Sequence, residues 1–299
     1  MEKEMKSCCL CPRDCKADRA QGQKGYCNMT SELVVARAAL HMWEEPCISG
    51  EEGSGTVFFS GCSLGCVYCQ NYHIAQGQTG KIISTERLAE IFLELQEKKA
   101  NNINLVTPGH YIPQIIEALQ KAKKRGLRIP IVYNSSSYEK VEALQLLEGY
   151  IDIYLPDLKY MDREPARLYS SCDDYFEYAR EAISEMVRQA GPPRFDSRGM
   201  MQRGVIVRHL MLPGYLADSK NIIKYLYDTY GDTIYISILN QYTPLSQVED
   251  YPAINRRISD EEYEELVDYA LEIGVENGFI QEGETAEESF IPEFNLEGV

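Results

Sequence analysis

The sequence predicts an α/β fold: a partial (β/α)6, TIM-like barrel preceded by a cysteine-rich segment. Two observations carry this. Short apolar runs alternate with amphipathic helical stretches along most of the 299 residues, and such alternation demands parallel strands joined by right-handed crossovers. About six βα units can be counted, too few to close an eight-stranded barrel. The predicted strands also end in polar residues, and in βα barrels the chemistry collects at the C-terminal strand ends. The expected division is residues 1–50 as a metal-binding segment, 51–245 as the barrel and 246–299 as an acidic helical extension.

In order, Leu33–Leu40 is apolar and partly β-branched, and His41-Met42-Trp43-Glu44-Glu45-Pro46 follows it. Trp43, the sole tryptophan, reads as a core anchor, with a lid over a cofactor as the less common alternative. Thr56–Phe59 is the first barrel strand, introduced by Gly53-Ser54-Gly55. Thr85–Lys99 has helical period in Leu88, Ile91, Phe92 and Leu95, with Ser84 or Thr85 as cap. Ile103–Thr107 is a strand ended by Pro108-Gly109-His110, and Ile112–Lys124 is a helix stopped by Gly126. Pro130–Tyr133 is a strand ended by Asn134 and three serines; Tyr138–Leu147 is a helix. Ile151–Leu155 is a strand running into Pro156-Asp157-Leu158-Lys159, and Asp174–Gln189 is a helix. Gly191–Arg203 reads as a long polar loop. Val205–Leu212 and Thr233–Leu239 are strands flanking the helix Ser219–Tyr230, and Asp260–Ile273 is the last helix. The strand-end rule selects Thr107, Gly109, His110, Asn134–Ser136, Asp157, Lys159, Arg208, His209, Gln241 and Tyr242. His209 as a satisfied core histidine and Asp157–Lys159 as a plain ion pair are the competing readings.

Cys62, Cys66 and Cys69 follow the first strand at C-x3-C-x2-C spacing, with Gly61 and Gly65 giving the backbone room to turn. Three thiolates are one too few for a closed zinc site or a fully ligated four-iron cluster. A four-iron cluster held this way keeps one iron open to an exogenous ligand, and Tyr68 can pack over it and dry the site. A zinc knot or three buried cysteines is the plainer alternative. Cys8, Cys11, Cys15 and Cys27 form a second set, C-x2-C-x3-C-x11-C, in a stretch with too few apolar residues for a core. Metal ligation replaces a core in such modules, and the spacing leaves zinc and iron–sulfur both open; four free thiols in a loop is the plainer alternative. Cys9 reads as a bystander, and Cys47 and Cys172 as small buried hydrophobes.

A formal net charge of −16 disfavours a nucleic-acid partner, which needs a basic face. The acid concentrates in Asp260–Glu265 and Glu282–Glu288 and reads as a solvated face. Met1–Ser7 is charged and has no apolar core, and no run approaches the roughly 18 apolar residues of a membrane span. Ten cysteines without a signal peptide point to a reducing cytoplasm.

The loop Gly61–Asn71 resembles that of the radical S-adenosylmethionine superfamily. Together with CLCPRDCKADRAQGQKGYC, HMWEEPCISG, NINLVTPGHY, DIYLPDLKY and VRHLMLPG, it is similar to proteins related to pyruvate formate-lyase activating enzyme, in a branch of activase-like iron–sulfur proteins. The resemblance spans most of residues 8–245. It implies a [4Fe-4S] cluster on Cys62, Cys66 and Cys69 and S-adenosyl-L-methionine on the open iron. Reductive cleavage would then give a 5′-deoxyadenosyl radical that abstracts hydrogen from a protein or peptide backbone. It implies an anaerobic setting, with reduced flavodoxin or ferredoxin as electron donor. Asp157-Leu158-Lys159 is similar to the D-x-K of the activases, which assigns Asp157 and Lys159 to the active site. Tyr68, Thr107, Gly109, His110, Asn134, Arg208, His209 and Gln241 are the expected cofactor-binding residues. Two features depart from the pattern: Thr107-Pro108-Gly109-His110 stands where Gly-Gly-Glu is usual, and Gln241-Tyr242 where a histidine is common. Radical modification of a small molecule or peptide, and a non-catalytic electron-transfer or metal scaffold, are the rival functions. The open coordination site argues against the scaffold.

Overall fold

The computed structural model describes residues 5–281 and 292–299. Ten strands are described: β1 (Leu33–His41), β2 (Ser54–Phe59), β3 (Lys81–Ile83), β4 (Ile103–Val106), β5 (Ile131–Ser135), β6 (Ile153–Pro156), β7 (Arg194–Phe195), β8 (Met201–Leu210), β9 (Tyr235–Leu239) and β10 (Gly278–Ile280). Nine helices accompany them: α1 (Pro46–Ser49), α2 (Tyr72–Ala75), α3 (Thr85–Glu97), α4 (Ile112–Lys124), α5 (Val141–Gln145), α6 (Arg163–Ser170), α7 (Tyr175–Ala190), α8 (Leu216–Tyr230) and α9 (Asp260–Glu272). The sheet order is β10-β9-β8-β6-β5-β4-β2-β1-β3. From β10 to β2 every neighbouring pair is parallel, while β1 is antiparallel to β2 and to β3. The six βα units therefore form an open barrel, as the alternation implies.

Period two sorts each strand into two faces. Val57, Phe59, Ile103, Leu105, Ile131, Tyr133, Tyr154, Val205, Val207, Ile236 and Ile238 join the main core with helix residues such as Leu88, Phe92, Ile115, Leu119 and Ile183. The opposite face points into the barrel. There Val132, Ile153, Leu155, Met201 and Ile206 enclose Cys47 and Ile48 of α1. The chain thus runs down β1, tucks α1 inside the barrel, and climbs again along β2. Asn102 Nδ2 donates to Ile48 O at 2.8 Å and Asn101 Nδ2 to Ser49 O at 2.7 Å, which pins this plug beneath β4. Residues 292–299 lie along β1: Ala38 N donates to Glu297 O at 2.8 Å, Arg37 pairs with Glu297 at 2.7 Å, and Phe294 packs edge-on against Phe58.

Several expectations need correction. The expected loop Gly191–Arg203 contains β7 and the start of β8; Arg194 pairs with Arg203 and Phe195 with Met201 around a turn through Gly199. The expected helix Tyr138–Leu147 is confined to α5 because Glu139 is drawn inward, where its Oε1 accepts from Ser135 Oγ at 2.7 Å and Tyr133 OH at 3.1 Å. Helix α6 lies where no element was expected, and the edge strands β3 and β10 are too short to leave a periodic signal. Trp43 is 63% exposed, so it anchors no core. Cys47 and Cys172 are buried, as expected of small hydrophobes. The acidic run Glu282–Glu288 lies outside the described residues. Among the described residues no helix is long and apolar enough to cross a membrane.

Candidate active site

The inward face of the sheet opens into a cavity of about 420 Å³ at the C-terminal strand ends. Its wall includes Cys62, Cys66, Tyr68 and Cys69 from the loop after β2, and Thr107 after β4. Asn134, Ser135 and Ser136 contribute from β5 and its end, Asp157 and Lys159 from beyond β6, Arg208 from β8 and Gln241 from beyond β9. A larger hollow of about 640 Å³ lies on the other side of the plug, against Glu51, Glu52, Arg198 and Met200. Pro46 borders both, so the plug is the partition.

Gly61 and Gly65 both take positive φ, +91° and +69°. At Gly61 the need is also steric: a Cβ would stand 2.7 Å from Cys27 O and 3.0 Å from His110 Nε2. The loop is thus pressed between the N-terminal segment and the end of β4. Burial raises the Cys62 thiol, and burial with Cys62 and Cys66 alongside pushes Cys69 up to about 12. The burial that raises Cys62 and Cys69 suits a cationic metal cluster, which would reverse that penalty by ligating their thiolates. Ser170 Oγ donates to Cys66 Sγ at 3.0 Å, and Tyr160 OH, 2.9 Å from Ser170 Oγ, donates to Tyr68 OH at 2.7 Å. A hydroxyl chain therefore orders the aromatic beside the last cysteine.

A charged array faces these thiols. Arg208 Nε donates to Asp157 Oδ1 at 2.9 Å, Nη2 to Asn134 Oδ1 at 2.7 Å and Nη1 to Glu44 Oε2 at 3.2 Å. Lys159 Nζ donates to Asp157 Oδ2 at 2.7 Å. Burial alone would raise the Asp157 carboxyl, but Arg208 and Lys159 outweigh it and hold it below the usual range. Burial alone would lower Lys159, yet Asp157 and Cys66 hold it up. The pair is therefore a half-buried ion pair within the cavity wall.

Four expected residues stand outside the cavity; Tyr242 is one, buried with its OH donating to Ile254 O at 2.7 Å. His209 follows Arg208 on β8, so its side chain takes the opposite face; its Nδ1 is 2.8 Å from Leu158 O and its Nε2 2.9 Å from Ser219 Oγ. It is a satisfied core histidine. His110 is buried behind the loop with Nε2 2.7 Å from Ser60 O. Gly109 packs against the Glu139 carboxylate, which a Cβ would meet at 2.7 Å. Conversely, Trp43, Glu44 and Glu45 line the cavity. They precede the plug and end no strand, so the strand-end rule misses them; the lid alternative pointed to Trp43, and two consecutive carboxylates before a proline could have signalled Glu44 and Glu45.

The N-terminal cysteines converge beside the loop. A Cβ on Gly25 would be 3.2 Å from Cys15 Sγ and 3.5 Å from Cys27 Sγ. Arg19 Nη1 reaches Cys8 Sγ at 3.8 Å and His110 O at 2.8 Å. Cys11 is pushed up to about 12, chiefly by burial and then by Cys27 and Cys8. Cys9 is exposed. Among the described residues no three His, Cys, Asp or Glu side chains are arranged around a single metal ion. Arg13 joins the two cysteine regions: Nε donates to Ser63 O at 2.9 Å, Nη2 to Leu64 O at 3.0 Å and Ser170 O at 2.8 Å, and Nη1 to Ser171 O at 2.6 Å. Its guanidinium also lies 4.0 Å from the Tyr26 ring centre.

An uncharacterized protein of Methanocaldococcus jannaschii is 28% identical over 272 residues, covering 89% of this chain and 74% of its own. The FeFe-hydrogenase maturase HydG from Carboxydothermus hydrogenoformans superposes with a TM-score of 0.52 at 14% identity, over 79% of this chain and 56% of that one. SuiB of Streptococcus suis, solved bound to the precursor peptide SuiA, gives 0.49 at 10% identity, over 75% and 47%. The chain thus spans about half the length of these two solved structures, and the likeness to HydG is one of fold alone. The Radical SAM superfamily profile matches residues 56–226, from β2 into α8 and over more than half of the chain. The chain belongs to the radical SAM superfamily, a membership that implies a [4Fe-4S] cluster and S-adenosylmethionine.

Proposed function

We propose that this chain is a radical S-adenosylmethionine oxidoreductase of the activating-enzyme kind, acting on a protein or peptide backbone. The observation that supports it most is the union, in one cavity, of three thiols with the Asp157–Lys159–Arg208 array. Cys62, Cys66 and Cys69 would hold the cluster. When bound, the cluster and S-adenosylmethionine would together supply one-electron reductive cleavage and hydrogen-atom abstraction. Asp157, kept ionised by its two cations, would accept from an amine or ribose hydroxyl. Lys159 would set a positive charge beside Cys66. Asn134 and Thr107 offer polar groups at neighbouring strand ends, and Thr107 holds a left-handed φ of +57° where Gly-Gly-Glu is usual. Gln70 Nε2 donates to Gln241 O at 2.8 Å, which ties the cluster loop to the last barrel strand.

The N-terminal cysteines are proposed to bind a second centre, zinc or iron–sulfur, and a reduced flavodoxin or ferredoxin to supply electrons in the cytoplasm. A small-molecule or short-peptide substrate is the second reading, favoured by the modest cavity volume. The test uses anaerobically reconstituted, reduced protein with S-adenosylmethionine. Asp157→Asn and Lys159→Met should keep the cluster absorbance and lose at least tenfold in 5′-deoxyadenosine formation. Wild-type rates in both would reduce the pair to a structural one.

A further inference from the structure

Glu44 and Glu45 reach the site from an unexpected direction. They stand just ahead of the plug helix α1 inside the barrel and line the same cavity as the three thiols. The charges that line the cavity do not balance in pairs. Asp157 is engaged by Lys159 and Arg208, and Glu44 by Arg208 and by Asn104 Nδ2 at 3.0 Å. Glu45 has no cation bonded to it among the described residues. It is 7% exposed, and its Oε2 is buried without a hydrogen-bond partner. Asn104, against Glu44, likewise keeps its Oδ1 unpartnered. A buried carboxylate oxygen left unpaired carries a desolvation cost, which an incoming hydrogen-bond donor removes. Burial, only partly offset by Arg208, also holds the Glu45 carboxyl above its ordinary range, and a cation beside it would restore the carboxylate.

We infer that Glu45 is a specificity residue that receives a cationic group of the substrate, an ammonium or a guanidinium, beside the plug. The proposal rests on the radical reading and narrows its substrate class. Both ligand types donate several hydrogen bonds and accept none, which matches unpaired acceptors. Trp43, exposed and lining the same cavity, offers an aromatic face against which a cation packs favourably.

The test is calorimetric titration of cluster-loaded protein, saturated with S-adenosylmethionine, with agmatine, n-butylamine, butyramide and butyrate. Agmatine and n-butylamine should bind saturably and compete with each other, while butyramide and butyrate should not bind. Glu45→Gln should weaken both cations at least tenfold and keep the iron content and the affinity for S-adenosylmethionine. Equal cation binding by Glu45→Gln, no saturable cation binding by the wild type, or binding of the neutral amide as tight as that of the amine would each overturn the proposal. So would a loss of S-adenosylmethionine affinity in the variant, because Glu45 would then serve the cofactor. Failure of the radical reading shows separately, as absent S-adenosylmethionine binding in wild type and variant alike.

Discussion

The two cysteine sets use the same ligand chemistry in opposite surroundings. Cys62, Cys66 and Cys69 border a cavity, with an ion-paired carboxylate and two cations across from them. Cys8, Cys11, Cys15 and Cys27 face no such array. Cys8 and Cys15 lie with Met5 and Leu10 in a small satellite cluster, Cys27 joins the edge of the main core, and Arg19 is fully buried beside them, its Nε and Nη2 bonding Thr30 O at 3.1 and 2.7 Å. The difference teaches that the neighbours of a thiol set, more than its spacing, select its task. A set that meets charged, inward-facing strand ends is placed for reaction; a set that meets backbone and small apolar side chains is placed to replace a core.

The comparison breaks most visibly if the loop set is removed. Cys62→Ala, Cys66→Ala and Cys69→Ala together should abolish every spectral response to S-adenosylmethionine while leaving the fold, since the main core does not rest on ligation. A retained response would show that the loop holds no cluster. The converse variant, with Cys8, Cys11, Cys15 and Cys27 all changed to alanine, should lower the thermal midpoint by roughly 5–10 °C and the metal content. It should still assemble the loop cluster. Equal metal content before and after would remove the second centre. The smallest effect is expected at the bridge. Arg13→Ala deprives four carbonyls, of Ser63, Leu64, Ser170 and Ser171, of their charged donor, at a cost of about 2–3 kcal/mol. Urea midpoints would read it, and lysine should rescue little because it lacks the planar fork. An unchanged midpoint would mean that the N-terminal segment docks without Arg13.

Much of the barrel is legible in the sequence because each of its strands and most of its helices carry a burial period. Helix α4 is read to the residue, since Ile115, Ile116 and Leu119 recur at helical spacing and Gly126 stops it. The same periodicity places Arg208 in the cavity and, read one residue further, should have removed His209 from it. What stays hidden is set by contacts remote in sequence. Trp43, Glu44 and Glu45 become cavity residues only because α1 turns into the barrel. Arg13 matters only because the carbonyls it needs lie 50 to 158 residues away. Local pattern carries no record of either.

The strap formed by residues 292–299 bears on synthesis. Ala38 N meets Glu297 O, a partner encoded much later in the chain. At roughly 5–20 residues per second, the stretch between them takes on the order of tens of seconds to emerge from the ribosome. Over that interval this length of β1 has one bare backbone edge, already paired with β2 on the other side. Bare edges invite strand addition from other chains, so the nascent protein is most exposed to misassembly after its barrel has formed and before its strap arrives.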